Sequence, residues 1–452
     1  MAGGAATLRR VTERAPTLAG WGNLGVPGVE VLSEDLEAVT KGAVLSRGLG
    51  RSYGDSSLPP PGRREVVGTR MADRILAWDP RTGVLRAEAG FSLWEFNRLF
   101  LRRGHFISAT PGTQFVSLGG MVAADVHGKG HHRWGCFGAH LRALRVRMAS
   151  GEIVECGPDR EPELFWACVG GMGLTGHILE VECQTQAIPT PWIYSESERI
   201  DDIDQFVDAL KRSGEQWPFS VGWIDCLSRG KQMGRGILDR GRWAEPHETG
   251  GRPLPATRRL AVPFNFPSWA LGRFTVQAFN TLYYWKHFQR ARHGLRTPDS
   301  FFYPLDAILH WNRIYGRRGF TQYQCVLPDS AGKGAARRFL ELLTSRGGAS
   351  FLCVIKDAGA QGQGMLSFLR PGISIALDIP VRDGTQRLVD TLNELVIAEG
   401  GRIYLAKDAF TRREDYAAMD PRLPEFTALR DRWDPQRTIR SAQSVRVFGD
   451  PP

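Results

Sequence analysis

The chain has 452 residues, more than a single hydrophobic core usually serves, so two domains are expected. Hydrophobic residues at 42% and charged residues at 23% are the proportions of a folded globular protein and exclude a disordered or fibrous chain. The formal charge of +10 is concentrated, because the stretch from Arg229 to Asp299 holds thirteen Lys or Arg against four Asp or Glu.

In chain order, the N-terminal third alternates short strands and helices. Val29 to Leu32 reads as a strand, Glu34 to Thr40 as a short helix, and Ala43 to Ser46 as a strand. Ile75 to Trp78 and Val84 to Ala87 are strands joined through Asp79-Pro80-Arg81-Thr82-Gly83. Ser92 and Glu95 form a capping box for a helix that Gly104 ends. Leu144 to Met148 and Ile153 to Glu155 make a hairpin; Glu161 to Trp166 is helical and His177 to Glu182 is a strand. Pro189 and Pro191 mark a domain boundary. Beyond it come a helix from Ile203 to Arg212, strands at Tyr323 to Val326, Ser350 to Lys356 and Ile375 to Ile379, and a helix from Thr385 to Gly400.

Two glycine-rich loops stand out. One runs Ser46-Arg47-Gly48-Leu49-Gly50-Arg51-Ser52-Tyr53-Gly54-Asp55-Ser56; the other holds Pro111-Gly112-Thr113 and Ser117-Leu118-Gly119-Gly120. Bare backbone of this kind lets main-chain N–H groups approach phosphate oxygens, so the pair suggests one large anionic ligand. Gly48, Gly50 and Gly54 miss the Rossmann spacing by one residue, and Pro59, Pro60 and Pro61 follow too soon for a helix.

The seven cysteines are scattered and never form C-x-x-C, which argues against a disulfide framework and structural zinc. The cluster His127, His131, His132 and His140 lacks a known ligand spacing, so no metal is expected. No apolar run is long enough to span a bilayer, and no apolar segment follows Arg9, Arg10 and Arg14. The expected compartment is cytoplasmic, with a peripheral place at the inner face of the membrane. The basic stretch 229–299 also carries Phe264, Phe266, Trp269, Phe274, Phe279, Tyr283, Tyr284 and Trp285. Cations beside aromatics suit a membrane surface, or equally a solvated segment packed on its own domain. A nucleic acid partner is not expected, since no recognition fold accompanies the charge.

The motifs resemble those of flavin-dependent oxidases of the vanillyl-alcohol-oxidase type, and more narrowly the FAD-dependent oxidase subunits of decaprenylphosphoryl-ribose 2-epimerases. They are Arg47 to Asp55, Pro111-Gly-Thr113, Asp125-Val-His-Gly-Lys-Gly-His-His132, Glu163-Leu-Phe-Trp-Ala167, Gly173-Leu-Thr-Gly176, Asn312-Arg-Ile-Tyr-Gly316, Gln322-Tyr-Gln324 and Tyr404-Leu-Ala-Lys-Asp408. The resemblance implies an α+β flavoprotein of two domains. Residues 1–190, completed by 402–452, would bind FAD, and 191–401 would form an antiparallel-sheet substrate domain. Residues 46–56 and 117–120 would hold the pyrophosphate, with Gly112, Ala124, Asp125, His127, Ile178 and Tyr404 completing the cofactor site. Many relatives bond the flavin through a His in the first loop; Arg51 stands there, so the FAD would be non-covalent. Ala376 replaces a Cys that the best-known members carry.

The resemblance also implies the chemistry: oxidation of the C2 hydroxyl of a polyprenylphosphoryl ribose, with a separate NAD(P)H-dependent reductase completing the epimerisation. Lys407 would contact flavin and substrate hydroxyl, and Lys356 would be a second cation facing the site. Gln324 would offer an amide to the substrate, and His127 would be the base or orienting group. Tyr53 and Tyr303 are further candidates. A soluble sugar, aldonolactone or secondary-alcohol oxidase is a second reading. A flavin-free protein binding membrane or nucleic acid is a third.

Overall fold

The computed structural model describes residues 16–452. Arg9, Arg10 and Arg14, the first part of the expected 1–190 domain and the side chain of Trp269 lie outside what it describes.

Strands β1 (Val29–Leu32), β2 (Ser46–Arg47) and β3 (Glu65–Gly68) form a parallel sheet in the order β1-β3-β2. Strand β2 is only two residues long and hands the chain directly to the first glycine loop. An antiparallel sheet follows, made of β4 (Ile75–Asp79), β5 (Val84–Glu88), β6 (Leu141–Arg147), β7 (Ile153–Cys156) and β8 (His177–Gln184) in the order β7-β6-β8-β5-β4. Helix α1 (Leu93–Phe100) has both halves of the expected capping box, and Gly104 ends its last turn at φ 80°. Helix α2 (Leu118–Ala123) is capped by the Ser117 hydroxyl, which accepts from Gly120 N–H. Leu93, Phe96, Phe100, Met121, Val122, Val146, Phe165 and Val181 fill the core between helices and sheet.

A third sheet has eight antiparallel strands: β9 (Ile193–Ile200), β10 (Phe219–Ile224), β11 (Gly236–Trp243), β12 (Ala291–Arg296), β13 (Phe320–Pro328), β14 (Cys353–Ala358), β15 (Gly372–Pro380) and β16 (Arg402–Ile403). Their order is β12-β9-β11-β10-β14-β15-β13-β16. Side-chain alternation gives this sheet two unlike faces. Tyr323 and Cys325 pair with Leu377 and Ile375, and these with Cys353 and Ile355, to make an apolar face. Helices α3 (Ile203–Gln216), α5 (Ala335–Ser345) and α6 (Thr385–Ala398) bury it with Phe206, Leu210, Phe339, Leu343, Leu392 and Val396; α4 (Arg273–Lys286) lies apart from them. The opposite face carries Gln322 and Gln324, then Ala376, then Val354 and Lys356.

The basic stretch 229–299 is not one segment. It contains β11, α4 and β12 among other short elements, and both of these strands belong to the sheet. Helix α4 escaped the sequence reading because its buried residues are Val276, Asn280 and Tyr284, while Phe274 and Leu282 face outward. An inverted helix of this kind has no apolar stripe to announce it. After β16 the chain returns to the first half, where Arg440 N–H donates to Val44 O and Arg446 pairs with Asp55.

Candidate functional site

The two glycine loops meet. A Cβ on Gly48 would lie 2.3 Å from the Ser117 hydroxyl, and one on Gly119 would lie 2.9 Å from the Ala89 methyl. Gly50 takes φ 63°, which favours glycine. Arg47 clamps the first loop from behind: it donates to Glu30 at 2.7 Å, to the Ala19 carbonyl at 2.7 Å, and to both oxygens of Ser57.

The loops open onto a cavity of about 540 Å³ that continues to the polar face of the eight-stranded sheet. Of the residues expected at a cofactor, Ser46, Gly48, Leu49, Gly50, Arg51, Ser52, Tyr53, Ser56, Gly112, Ser117, Gly119, Gly120, Ala124, His127, Ile178 and Tyr404 line it. Five others build its walls from outside. Arg47 is the clamp just described, and Leu118 is fully buried in the core. Gly54 is glycine because a Cβ there would strike the Asp408 carbonyl at 1.8 Å. Asp55 makes a two-pronged ion pair with Arg446. Asp125 is buried and accepts from Gly138 N–H at 2.7 Å and from the Ser367 hydroxyl.

The expected catalytic residues all face this cavity: Tyr53, His127, Gln324, Lys356 and Lys407. Gln324 Nε2 lies 2.9 Å from His127 Nε2 and 3.2 Å from the Ser374 hydroxyl. With the amide donating, the imidazole accepts at Nε2 and carries its proton at Nδ1, which has no partner among the described residues. The ring packs against Tyr404 and Phe368 at 4.9 and 5.5 Å. Burial, reinforced by Lys356, His131 and Lys407, holds it well below the ordinary imidazole pKa, so it is neutral.

Lys407 follows Tyr404, whose carbonyl accepts its N–H, and its ammonium stands 3.8 Å from the centre of the Tyr53 ring. Burial and repulsion by Lys356 pull it down to about 7, opposed by the charge of Asp378. Lys356 is pushed down to about 8 by burial. Tyr303 is excluded from the site, since its hydroxyl bonds Asn97 and Thr110 in the core. His131, His132 and His140 each hydrogen-bond backbone atoms, of Gly359, Trp217 and Trp134 respectively. Among the described residues no group of three His, Cys, Asp or Glu side chains could hold a metal.

Some wall residues were not expected. Asp378 is fully buried behind Lys407; it accepts from Tyr315 Oη and Gln322 Nε2, each at 2.6 Å, and burial pushes it up to about 6. A single acid within the apolar strand Ile373-Ser-Ile-Ala-Leu-Asp-Ile379 was its signal. Lys129, inside the His-Gly-Lys-Gly motif, lines the cavity, as do Asp239 and Asp306. Arg51, in the place of the flavin-bonding His, lies 4.1 Å over Trp21 and leaves its Nε without a partner. Ala376 lines the cavity, and none of the seven buried cysteines does.

These features fit FAD. The cavity lies in the range of roughly 300–1,000 Å³ typical of ligand sites, one end is walled by glycine backbone where a Cβ on Gly112 would meet open space, and Lys129, Lys356 and Lys407 also line it. Residues 37–157 match the FAD binding domain family. The protein is thus an FAD-dependent oxidoreductase of the vanillyl-alcohol-oxidase type. It is 34% identical to the decaprenylphosphoryl-β-D-ribose oxidase of Mycolicibacterium smegmatis, over 95% of this chain and 97% of that one. It is 31% identical to an uncharacterised protein of Streptomyces coelicolor, over 79% of this chain and 99% of the relative. The L-gulonolactone oxidase of Mus musculus is 26% identical over 31% of this chain and 32% of its own. The chain belongs to the decaprenylphosphoryl-β-D-ribose oxidase family.

Proposed function

We propose that this protein oxidises the C2 hydroxyl of a polyprenylphosphoryl ribose to the 2-keto sugar at a membrane surface, leaving a separate NAD(P)H-dependent reductase to complete an epimerisation. One observation carries the reading. A single cavity joins the glycine loops to His127, Gln324 and Lys407 and then runs out along Trp223, Phe279, Tyr283 and Phe351 beneath α4. The outer side of that helix exposes Phe274 (87%), Leu282 (73%) and Trp285 (53%), at positions that fall on one helical face. Such a face suits the acyl boundary of a bilayer, and Arg273, Lys286, Arg290 and Arg292 beside it suit anionic headgroups. Among the described residues no helix is long and apolar enough to cross a membrane. The proposed attachment is a peripheral one, made by this face.

When bound, non-covalent FAD supplies the hydride acceptor for the carbinol carbon. The residues of the chain do the rest. Gln324 and Lys407 orient the hydroxyl between them, and the ammonium of Lys407 places positive charge where negative charge develops. His127, neutral, takes the hydroxyl proton at Nε2 once the substrate hydroxyl replaces the Gln324 amide at that lone pair. Asp378, held by Tyr315 and Gln322, is the counter-charge that keeps Lys407 protonated against its burial.

The test is the visible spectrum of the purified protein during anaerobic addition of a polyprenylphosphoryl ribose. A yellow chromophore that acid releases and that bleaches with this substrate is the expected result. A yellow protein that ignores it but is bleached by a sugar lactone would move the activity to that substrate. A protein that cannot be reconstituted with FAD would end the proposal.

A further inference from the structure

The lysines of the cavity are not all explained by the oxidation step. Lys129 and Lys356 line the same stretch of wall, away from the glycine loops. Lys129 comes from the loop after His127, and its carbonyl accepts from Ser220 N–H beside β10. Lys356 lies on β14, whose pairing with β10 sets it beside Val221, and Val221 in turn pairs with Asp239 on β11. Lys129 Nζ bonds the Phe301 carbonyl and stands 4.7 Å from the Phe301 ring. Lys356 Nζ has no hydrogen bond or ion pair among the described residues. Asp239 favours the Lys129 ammonium, but its charge is shared with Arg296 at 3.4 Å and it also accepts from the Ser197 hydroxyl. Two ammonium groups with one shared counter-charge in a buried wall cost stability unless a ligand brings more of the opposite charge.

Their position says which charge. The row Gln324, Ala376, Val354, Trp223 runs across the sheet from the imidazole to the apolar exit, where Trp223 meets Tyr283 of α4 at 4.6 Å. Lys356 is two residues from Val354 on the same face, hence about 7 Å along the strand. It flanks the path between the reacting carbon and the exit. In a lipid-linked sugar only the anomeric carbon and one oxygen separate C2 from phosphorus, and the chain departs from the phosphate's other side. We infer that Lys129 and Lys356 form a subsite for the phosphodiester that joins sugar to lipid, the two ammonium groups gripping its non-bridging oxygens. The inference rests on the proposed substrate class, and it makes the pair the specificity element that separates a phospholipid-linked sugar from a free one.

The test uses the FAD-loaded protein and follows flavin absorbance while geranylgeranyl phosphate, geranylgeraniol or inorganic phosphate is added. The wild type is expected to bind the prenyl phosphate at least about tenfold more tightly than the prenol, which is about 1.4 kcal/mol. Lys129→Met and Lys356→Met should each remove most of that preference while leaving prenol affinity in place, and Lys356→Arg should restore it. Equal binding of phosphate and prenol by the wild type would overturn the subsite, as would Met variants that retain the preference. Binding of prenyl phosphate is read without turnover, so a wild type that shows the preference yet fails to oxidise the phosphoribose would sink the proposed reaction and leave the subsite standing. Unchanged flavin content and a melting temperature no lower than that of the wild type establish that the loss is local.

Discussion

The proposed reaction places its main charge on Lys407. Its ammonium lies over the Tyr53 ring, faces the cavity, and is balanced only by Asp378 from behind. Removing a charge placed where charge develops costs on the order of a hundredfold or more in turnover. Lys407→Met is expected to show that loss in the anaerobic rate of flavin bleaching; a variant that bleaches at the wild-type rate would refute the assignment. The lysines also predict how the FAD-free protein responds to pH. Burial pulls Lys129 and Lys407 down to about 7 and Lys356 to about 8, from an ordinary value of 10.5. Between these values and 10.5 the folded protein holds fewer protons than the unfolded chain, so stability rises with pH through that window. Asp378, pushed up to about 6, has the opposite sign, but its cost is already complete above pH 6. The melting temperature of the apoprotein should therefore climb from pH 7 to pH 9, and Lys356→Met should flatten the climb. A flat wild-type profile would contradict it.

At the scale of elements, legibility followed the strength of the local rule. The capping box at Ser92 and Glu95, the glycine stop at Gly104 and the apolar strands all had one short-range cause, and each is present in the structure within a few residues. Helix α4 had none, because its exposed side is the more apolar one. Glycines were harder in another way: Gly48 and Gly54 look alike in the motif. One borders the cavity, whereas the other makes room for the Asp408 carbonyl, a neighbour more than three hundred residues away. The inverted helix yields its own experiment. Replacing Phe274, Leu282 and Trp285 together by Ser removes three exposed apolar groups that line no part of the cavity. Co-sedimentation with anionic vesicles should fall at least about tenfold, while oxidation of a detergent-dispersed substrate is retained. Undiminished sedimentation would remove α4 from the membrane contact.

At the scale of the whole molecule, the site exists only because the last fifty residues come back to the first sixty. Strand β16 adds an edge to the eight-stranded sheet, and the four residues after it carry Tyr404 and Lys407 into the cavity. The same segment then locks onto the first glycine loop, where Tyr53 N–H donates to the Ala406 carbonyl at 3.0 Å. Arg446 is the fastener. Its guanidinium bonds both oxygens of Asp55, reaches Asp408 at 2.9 Å, and donates to the Thr411 carbonyl. No motif in the chain pointed to it, because a lone Arg near a C-terminus has no short-range partner to betray its role; its partners are set by the fold. Arg446→Met would strand two carboxylates against the first glycine loop. The network is only partly buried, with a quarter of the Arg446 side chain exposed, but Arg446 is shared by two carboxylates, so a drop in melting temperature is expected together with weaker FAD retention on dialysis. Arg446→Lys, which keeps the charge but not the fork, should recover part of both. Loss of stability with FAD affinity intact would show that the first glycine loop holds its shape without this anchor.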